Sequence, residues 1–229
     1  MRKILFLFFI LFTCYSCEIQ YDGETRLVVQ GQLVDRNSNP IPNKRVEINN
    51  FSDGTYTPSD LISYTKTDSE GKFLMIFPTP KGEDIEIITT LNGYNFDDDY
   101  ATLNYATGFQ NKSITALKKN FKNYKLDLNQ VTLYKNDEIT QLQIQLNKTS
   151  TNKTVTALDV QGILSKDFTD LNYKNENHYL ETNFNVVKNQ NVRLSYTIAD
   201  YSDPTKVVTT NHETIIPINS EKVIHLLTY

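Results

Sequence analysis

From Leu27 onward, apolar and polar positions alternate with a period of two, in short runs separated by turn-forming residues. Leu27-Val28-Val29-Gln30-Gly31-Gln32-Leu33-Val34, Arg45-Val46-Glu47-Ile48, Lys72 to Phe77 and Ile85 to Leu91 each predict a strand. Asn37-Ser38-Asn39-Pro40, Ser52-Asp53-Gly54, Asp68-Ser69-Glu70-Gly71 and Asn92-Gly93 stand between them as turns. Two further alternating stretches, Lys125 to Leu128 and Gln130 to Tyr134, close this half. The same texture continues from Ile139 to Leu146 and from Val155 to Val160. It recurs over Tyr179 to Val187, Val192 to Ile198, Lys206 to Thr210 and Val223 to Leu227. One segment, Ser113 to Phe121, has a capping-type start and apolar residues three or four apart; it reads as a short helix or as a strand followed by a polar turn. No internal repeat is legible between the two halves.

The N-terminus departs from this pattern. Arg2 and Lys3 precede an unbroken apolar run, Ile4 to Phe12, which ends at Thr13-Cys14-Tyr15-Ser16-Cys17. Such a run is too short to span the roughly 30 Å of a bilayer's hydrocarbon as a helix and fits the apolar region of a secretory signal. With the small residue Ser16 before Cys17, the stretch resembles the signal of a Bacteroidetes-type lipoprotein. That resemblance implies cleavage after residue 16, acylation of Cys17 and anchoring in the outer membrane. The leaflet stays open, and Glu18, Asp22 and Glu24 are only scattered acidic residues after the anchor.

A second resemblance rests on internal residues. Val29-x-Gly31-x-Leu33-x-Asp35, Pro40-Ile41-Pro42-Asn43, Val46-x-Ile48 and Thr65-x-Thr67-Asp68-x-x-Gly71-x-Phe73 together resemble a carboxypeptidase regulatory-like domain. The family implies a transthyretin-type β-sandwich. Each position has a physical reason: Asp68 accepts hydrogen bonds from its own turn, Gly71 takes a positive φ, and Phe73 enters the core. Leu126-Asp127-Leu128 and Val131-x-Leu133 resemble the family's last strand, whereas residues 92–122 depart from it as an enlarged insertion.

Composition narrows the function. The 229 residues carry a formal charge of −4, which becomes −6 once Arg2 and Lys3 leave with the signal. An acidic chain lacks the clustered cations that nucleic-acid binding requires. Cleavage also removes Cys14, leaving Cys17 as the sole cysteine and excluding disulfides, thiol nucleophiles and cysteine metal sites. His178-Tyr179-Leu180-Glu181 has the zinc-binding spacing of metallocarboxypeptidases. However, residues three apart on a strand face opposite ways, and the regulatory-like module is not the catalytic domain of those enzymes. The remaining histidines, His212 and His225, stand apart in sequence, and no Gly-x-Ser-x-Gly occurs. Asp97-Asp98-Asp99 is the one candidate calcium cluster, weakened by adjacent carboxylates that diverge. Nearby Tyr94, Tyr100 and Tyr105 are the candidate sugar platform.

The expectation is an all-β protein of two consecutive β-sandwich domains. Residues 1–16 form the signal, 17–25 the lipid tether, 26–136 a transthyretin/carboxypeptidase-regulatory-like sandwich, and 137–229 an immunoglobulin/fibronectin-like sandwich. Its expected role is a non-enzymatic binding or assembly module of the cell envelope, held to the membrane by the lipid and using no cofactor. The partner is an outer-membrane protein, such as a TonB-dependent transporter to which it is accessory, or a surface glycan. An unrecognised hydrolase is the alternative of another class.

Overall fold

Alternation of this kind leaves one face of each strand apolar, and the chain buries those faces by stacking sheets in pairs. The computed structural model describes residues 19–52, 59–93, 108–172 and 180–229. Over the first half, these residues form β1 (Tyr21–Val34), β2 (Arg45–Phe51), β3 (Ser59–Lys66), β4 (Lys72–Pro80), β5 (Glu86–Leu91), β6 (Lys112–Ala116) and β7 (Lys125–Thr132). The second half supplies β8 (Ile139–Asn147), β9 (Lys153–Gln161), β10 (Phe168–Asp170), β11 (Asn183–Val187), β12 (Gln190–Asp200), β13 (Val208–Ile218) and β14 (Lys222–Thr228). The protein is all-β.

Strands β4-β1-β7 form one sheet and β6-β5-β2-β3 run consecutively in another, and their inner faces share one buried cluster. On β4, Phe73, Met75 and Phe77 point inward and are nearly inaccessible, while Leu74 and Ile76 point outward with more than half their surface exposed. Val46 and Ile48 of β2 face Ile87 and Leu91 of β5 within the same core. The second half repeats the arrangement with sheets β11-β8-β14 and β13-β12-β9 around Leu142, Val160, Val192, Leu194 and Ile218. In both halves the first strand is central and pairs in parallel with the last: β1 with β7, and β8 with β14.

The two halves share a topology that the sequence does not announce. Leaving out β3 and counting the remaining strands from β1, the first sandwich has sheets of order 3-1-6 and 5-4-2. Leaving out β10 and counting from β8, the second has the same two orders. Strand β3, between β2 and β4, pairs with β2. Its counterpart by position, β10, lies between β9 and β11 but pairs in parallel with β6, on the edge of the first sandwich's sheet. The first buried cluster ends at Leu133 and the second begins at Leu142, yet the hydrogen bonding does not divide there.

The turn at Asp68–Gly71 follows the sequence argument. Asp68 Oδ1 accepts the backbone N–H groups of Glu70 and Lys72, each at 2.9 Å. Gly71 has φ +72°, and a Cβ there would lie 2.4 Å from the carbonyl oxygen of Leu33. Phe73 is 5% exposed. Of the two readings of Ser113–Phe121, the strand and turn is the one formed, not the helix. Residues 112–116 are β6, held between β5 and β10, and a single 3-10 turn follows at Lys118–Asn120. Sheet partners on both sides outweigh a weak helical periodicity. The two stretches from Lys125 to Tyr134 merge into one strand, Lys125–Thr132, with a bulge where Asn129 adopts φ 53°.

Candidate functional site

Most side chains singled out for chemistry lie outside the described residues: Cys17, Asp97, Asp98, Asp99, His178, Tyr94, Tyr100 and Tyr105. Glu181 is exposed just before β11. His212, on β13, stacks on Tyr196 of β12 with ring centroids 5.1 Å apart and 16° between planes. Its Nε2 lies 2.9 Å from the Thr210 hydroxyl. His225, on β14, sits in the opposite sheet and is half-buried, and that burial pushes its pKa below the usual histidine range. These two histidines thus stand on different sheets, one on the surface and one half-buried. Among the described residues, no three His, Cys, Asp or Glu side chains gather as a metal site.

Among the described residues, shallow depressions lie on two sheet faces. One, of about 380 Å³, is lined by Gln30, Gln32, Lys72, Leu74, Asp127 and Asn129 on the outer face of β4-β1-β7. There the Asn129 backbone N–H, then the Gln30 amide 2.5 Å from Oδ2, hold the Asp127 carboxyl below the usual carboxylate range. The other, about 470 Å³, surrounds the Tyr196–His212 stack, with Asp159, Ser195, Asn211 and Glu213 at its margin. Both are open hollows rather than the deep concave pockets that bury a small molecule.

The most elaborated polar site is the junction between the two sandwiches. Gln110 is 4% exposed and uses both ends of its amide. Its Oε1 accepts the backbone N–H of Tyr134 and the hydroxyl of Ser165, each at 3.0 Å. Its Nε2 donates to Asp167 Oδ1 at 3.0 Å. Ser165 is itself buried, and its backbone N–H donates to the carbonyl of Asn185 in β11. The Asp167 carbonyl accepts the Ser113 N–H, and the Leu171 N–H donates to the Thr115 carbonyl, so that β10 is fastened at both ends. Across the interface, Arg36 donates to the Lys188 carbonyl at 3.2 Å, and the Asn172 amide donates to Asn120 Oδ1 at 2.9 Å. Burial lowers the pKa of Lys112 at this edge, with Asp167 opposing the shift. A buried amide with this many partners fixes orientation, because any relative movement of the halves leaves it unsatisfied.

Sequence reasoning missed this junction. Three strand residues between loops are too few to display a period, and a single Gln or Ser has no signature. The only trace was the absence of a Pro/Gly-rich linker near Asn136-Asp137.

No protein-family model matches the chain, and no curated protein matches it. Among solved structures, the Bacillus anthracis TIE protein is similar at 14% identity over 89% of this chain, with a TM-score of 0.33. This chain spans 34% of that protein. A streptococcal ancillary pilin is similar at 11% identity over 90% of this chain and 62% of its own, with a TM-score of 0.29. The shaft pilin SpaA of Lactobacillus rhamnosus GG follows at 9% identity over 89% and 97%, with a TM-score of 0.28. Likenesses at these scores assign neither a fold family nor an activity.

Proposed function

We propose that this chain is a non-enzymatic, lipid-anchored module of the cell envelope, whose joined β-sandwiches serve binding or assembly. The first sandwich is read as carboxypeptidase-regulatory-like and the second as immunoglobulin-like. The Asp68–Gly71–Phe73 turn supports the first reading, and paired three-stranded sheets support the second. The observation that carries the functional reading is the buried Gln110 junction, whose hydrogen bonds tie the two sandwiches into one oriented unit. Apolar pairs on edge strands, Leu74 with Ile76 and Ile224 with Leu226, are each more than half exposed and give that unit surface for a protein partner.

Anchoring is tested by metabolic labelling with a palmitate analogue. The wild-type chain is expected to take label and sediment with membranes, and Cys17→Ser to do neither. A Cys17→Ser chain that still sediments and labels removes the anchor. For chemistry, the purified chain is expected to show no turnover of peptide, ester or glycoside libraries, with or without Zn²⁺. Activity abolished by His178→Ala or Asp98→Asn overturns the non-enzymatic reading.

A further inference from the structure

We infer that the chain is a tension-resisting spacer, built so that force along it shears two parallel strand ladders rather than peeling them. The source of the load rests on the anchoring proposed above; the geometry does not. A chain held at its N-terminal side and pulled from its C-terminal side transmits force into the start of β1 and out at the end of β7. Because β1 and β7 run parallel, those two points lie at opposite ends of one ladder. The ladder runs from Val28 opposite Lys125 to Val34 opposite Thr132. It is extended at both ends, by Val28 N–H to the Tyr124 carbonyl and Leu133 N–H to the Val34 carbonyl, each at 2.9 Å.

Force then crosses to β8 and repeats the arrangement. Strands β8 and β14 pair in parallel without a register break, from Gln141 opposite Lys222 to Asn147 opposite Thr228. The Tyr229 N–H donates to the Asn147 carbonyl, and the Thr149 N–H and hydroxyl both donate to the Tyr229 carbonyl. The exit point of the second ladder is therefore held to the β8 side through both its N–H and its carbonyl. The segment joining β7 to β8 is not left to carry the load alone, since β10 ties the second half to β6 and Gln110 bonds to Tyr134, Ser165 and Asp167.

Direction decides the resistance. Peeling breaks one strand pair at a time and releases about two residue rises, roughly 6.6 Å, for each pair lost. Shear must disrupt the whole ladder within about one rise, roughly 3.3 Å, so its bonds share the load and fail together. A central first strand paired in parallel with a last strand occurs in both sandwiches, although their sequences show no repeat. The strand order thus places a shear ladder twice in series on the only covalent path through the molecule.

The experiment is single-molecule pulling of the chain from residue 17 onward, with Cys17→Ser and handles on introduced cysteines at exposed positions. Gln20→Cys with Asp137→Cys loads the first ladder in shear, and Gln20→Cys with Asn123→Cys peels it. Asp137→Cys with a handle at the C-terminus shears the second ladder, and Asp137→Cys with Ser220→Cys peels it. Melting temperatures matching the parent chain establish that the variants fold. The expected result is a rupture force at least about threefold higher in shear than in peeling for each sandwich. A ratio below about threefold in either sandwich overturns the inference. Loss of palmitate labelling removes only the anchor, because the force ratio does not depend on it.

Discussion

The first sandwich closes its own edge with β3, whereas the second sends the strand at that position, β10, across to its neighbour. The cores differ in the same direction. Among the described residues, the first cluster holds sixteen buried apolar side chains, including Phe73 and Phe77, while the second holds ten and no aromatic. Strand β13 is exposed along Val208–Glu213, so among the described residues nothing apolar covers the far end of its sheet. Shared strand order therefore does not mean equal stability. The first unit has the larger buried apolar cluster, and the second is tied to it by the strand it donates and by the buried Gln110 contacts. The difference teaches that two sandwiches can be tied together by moving one strand and burying one amide.

The largest break in this comparison is expected from the first core. Gly71→Val combines a positive φ with a Cβ 2.4 Å from a carbonyl oxygen and 3.0 Å from the Ile41 nitrogen, so backbone must shift. Phe73→Ala removes a buried aromatic side chain. Each is expected to cost about 3–5 kcal/mol in denaturant unfolding. Parent-like melting by both would dissolve the assigned turn and core.

Leu194→Ala, at a site with 0% exposure in the lighter core, is expected to cost about 2–5 kcal/mol. Its unfolding should begin in the second sandwich, read by hydrogen exchange along β12 before β1. Protection lost first in β1 would invert the stability order.

Gln110→Ala is expected to cost about 1–3 kcal/mol, since it leaves the Tyr134 N–H and the Ser165 hydroxyl without their acceptor. It should also split one calorimetric transition into two, with the second sandwich melting first. A single transition retained in the variant would place the coupling of the halves elsewhere.

The smallest effect is a pH dependence confined to one half. The three histidines all lie in the second half, and burial depresses the folded-state pKa of His225 below 6.5. An unfolded histidine accordingly binds its proton first as pH falls. Stability from this group is complete above about pH 6.5 and declines as pH drops from there through the lowered folded value. Mild acid should lower the melting of the second transition in Gln110→Ala while sparing the first, and His225→Gln should abolish the difference. Equal shifts of both transitions would break the assignment to His225.

Much of this fold was legible because strand alternation is a local property. Residues such as Val46, Ile48, Phe73, Met75 and Phe77 reveal their inward side by position alone, and Asp68 and Gly71 reveal their turn by what their side chains permit. Strand β3 was less visible: Ser59 to Lys66 contains Asp60, Ser63 and Tyr64 where a strict alternation would be cleaner. Candidate chemistry was the least legible, because His212 and His225 read alike as letters but occupy a surface stack and a core edge.

Strand pairing is what the sequence by itself left undecided. The sequence determined the all-β class, the positions of many of the strands, the Asp68–Gly71 turn and the inward face of β4, each set within a few residues by sterics and burial. Only the tertiary structure decided that Ser113–Ala116 is a strand, that Phe168–Asp170 joins the other half's sheet, and that both sandwiches have one strand order. Hydrogen bonds between strands connect residues far apart in the chain, and β6 and β10 are separated by more than fifty residues. The backbone groups that pair are chemically the same at every position. Which strand meets which is therefore settled by the packing of all the faces at once, and no single segment carries that information.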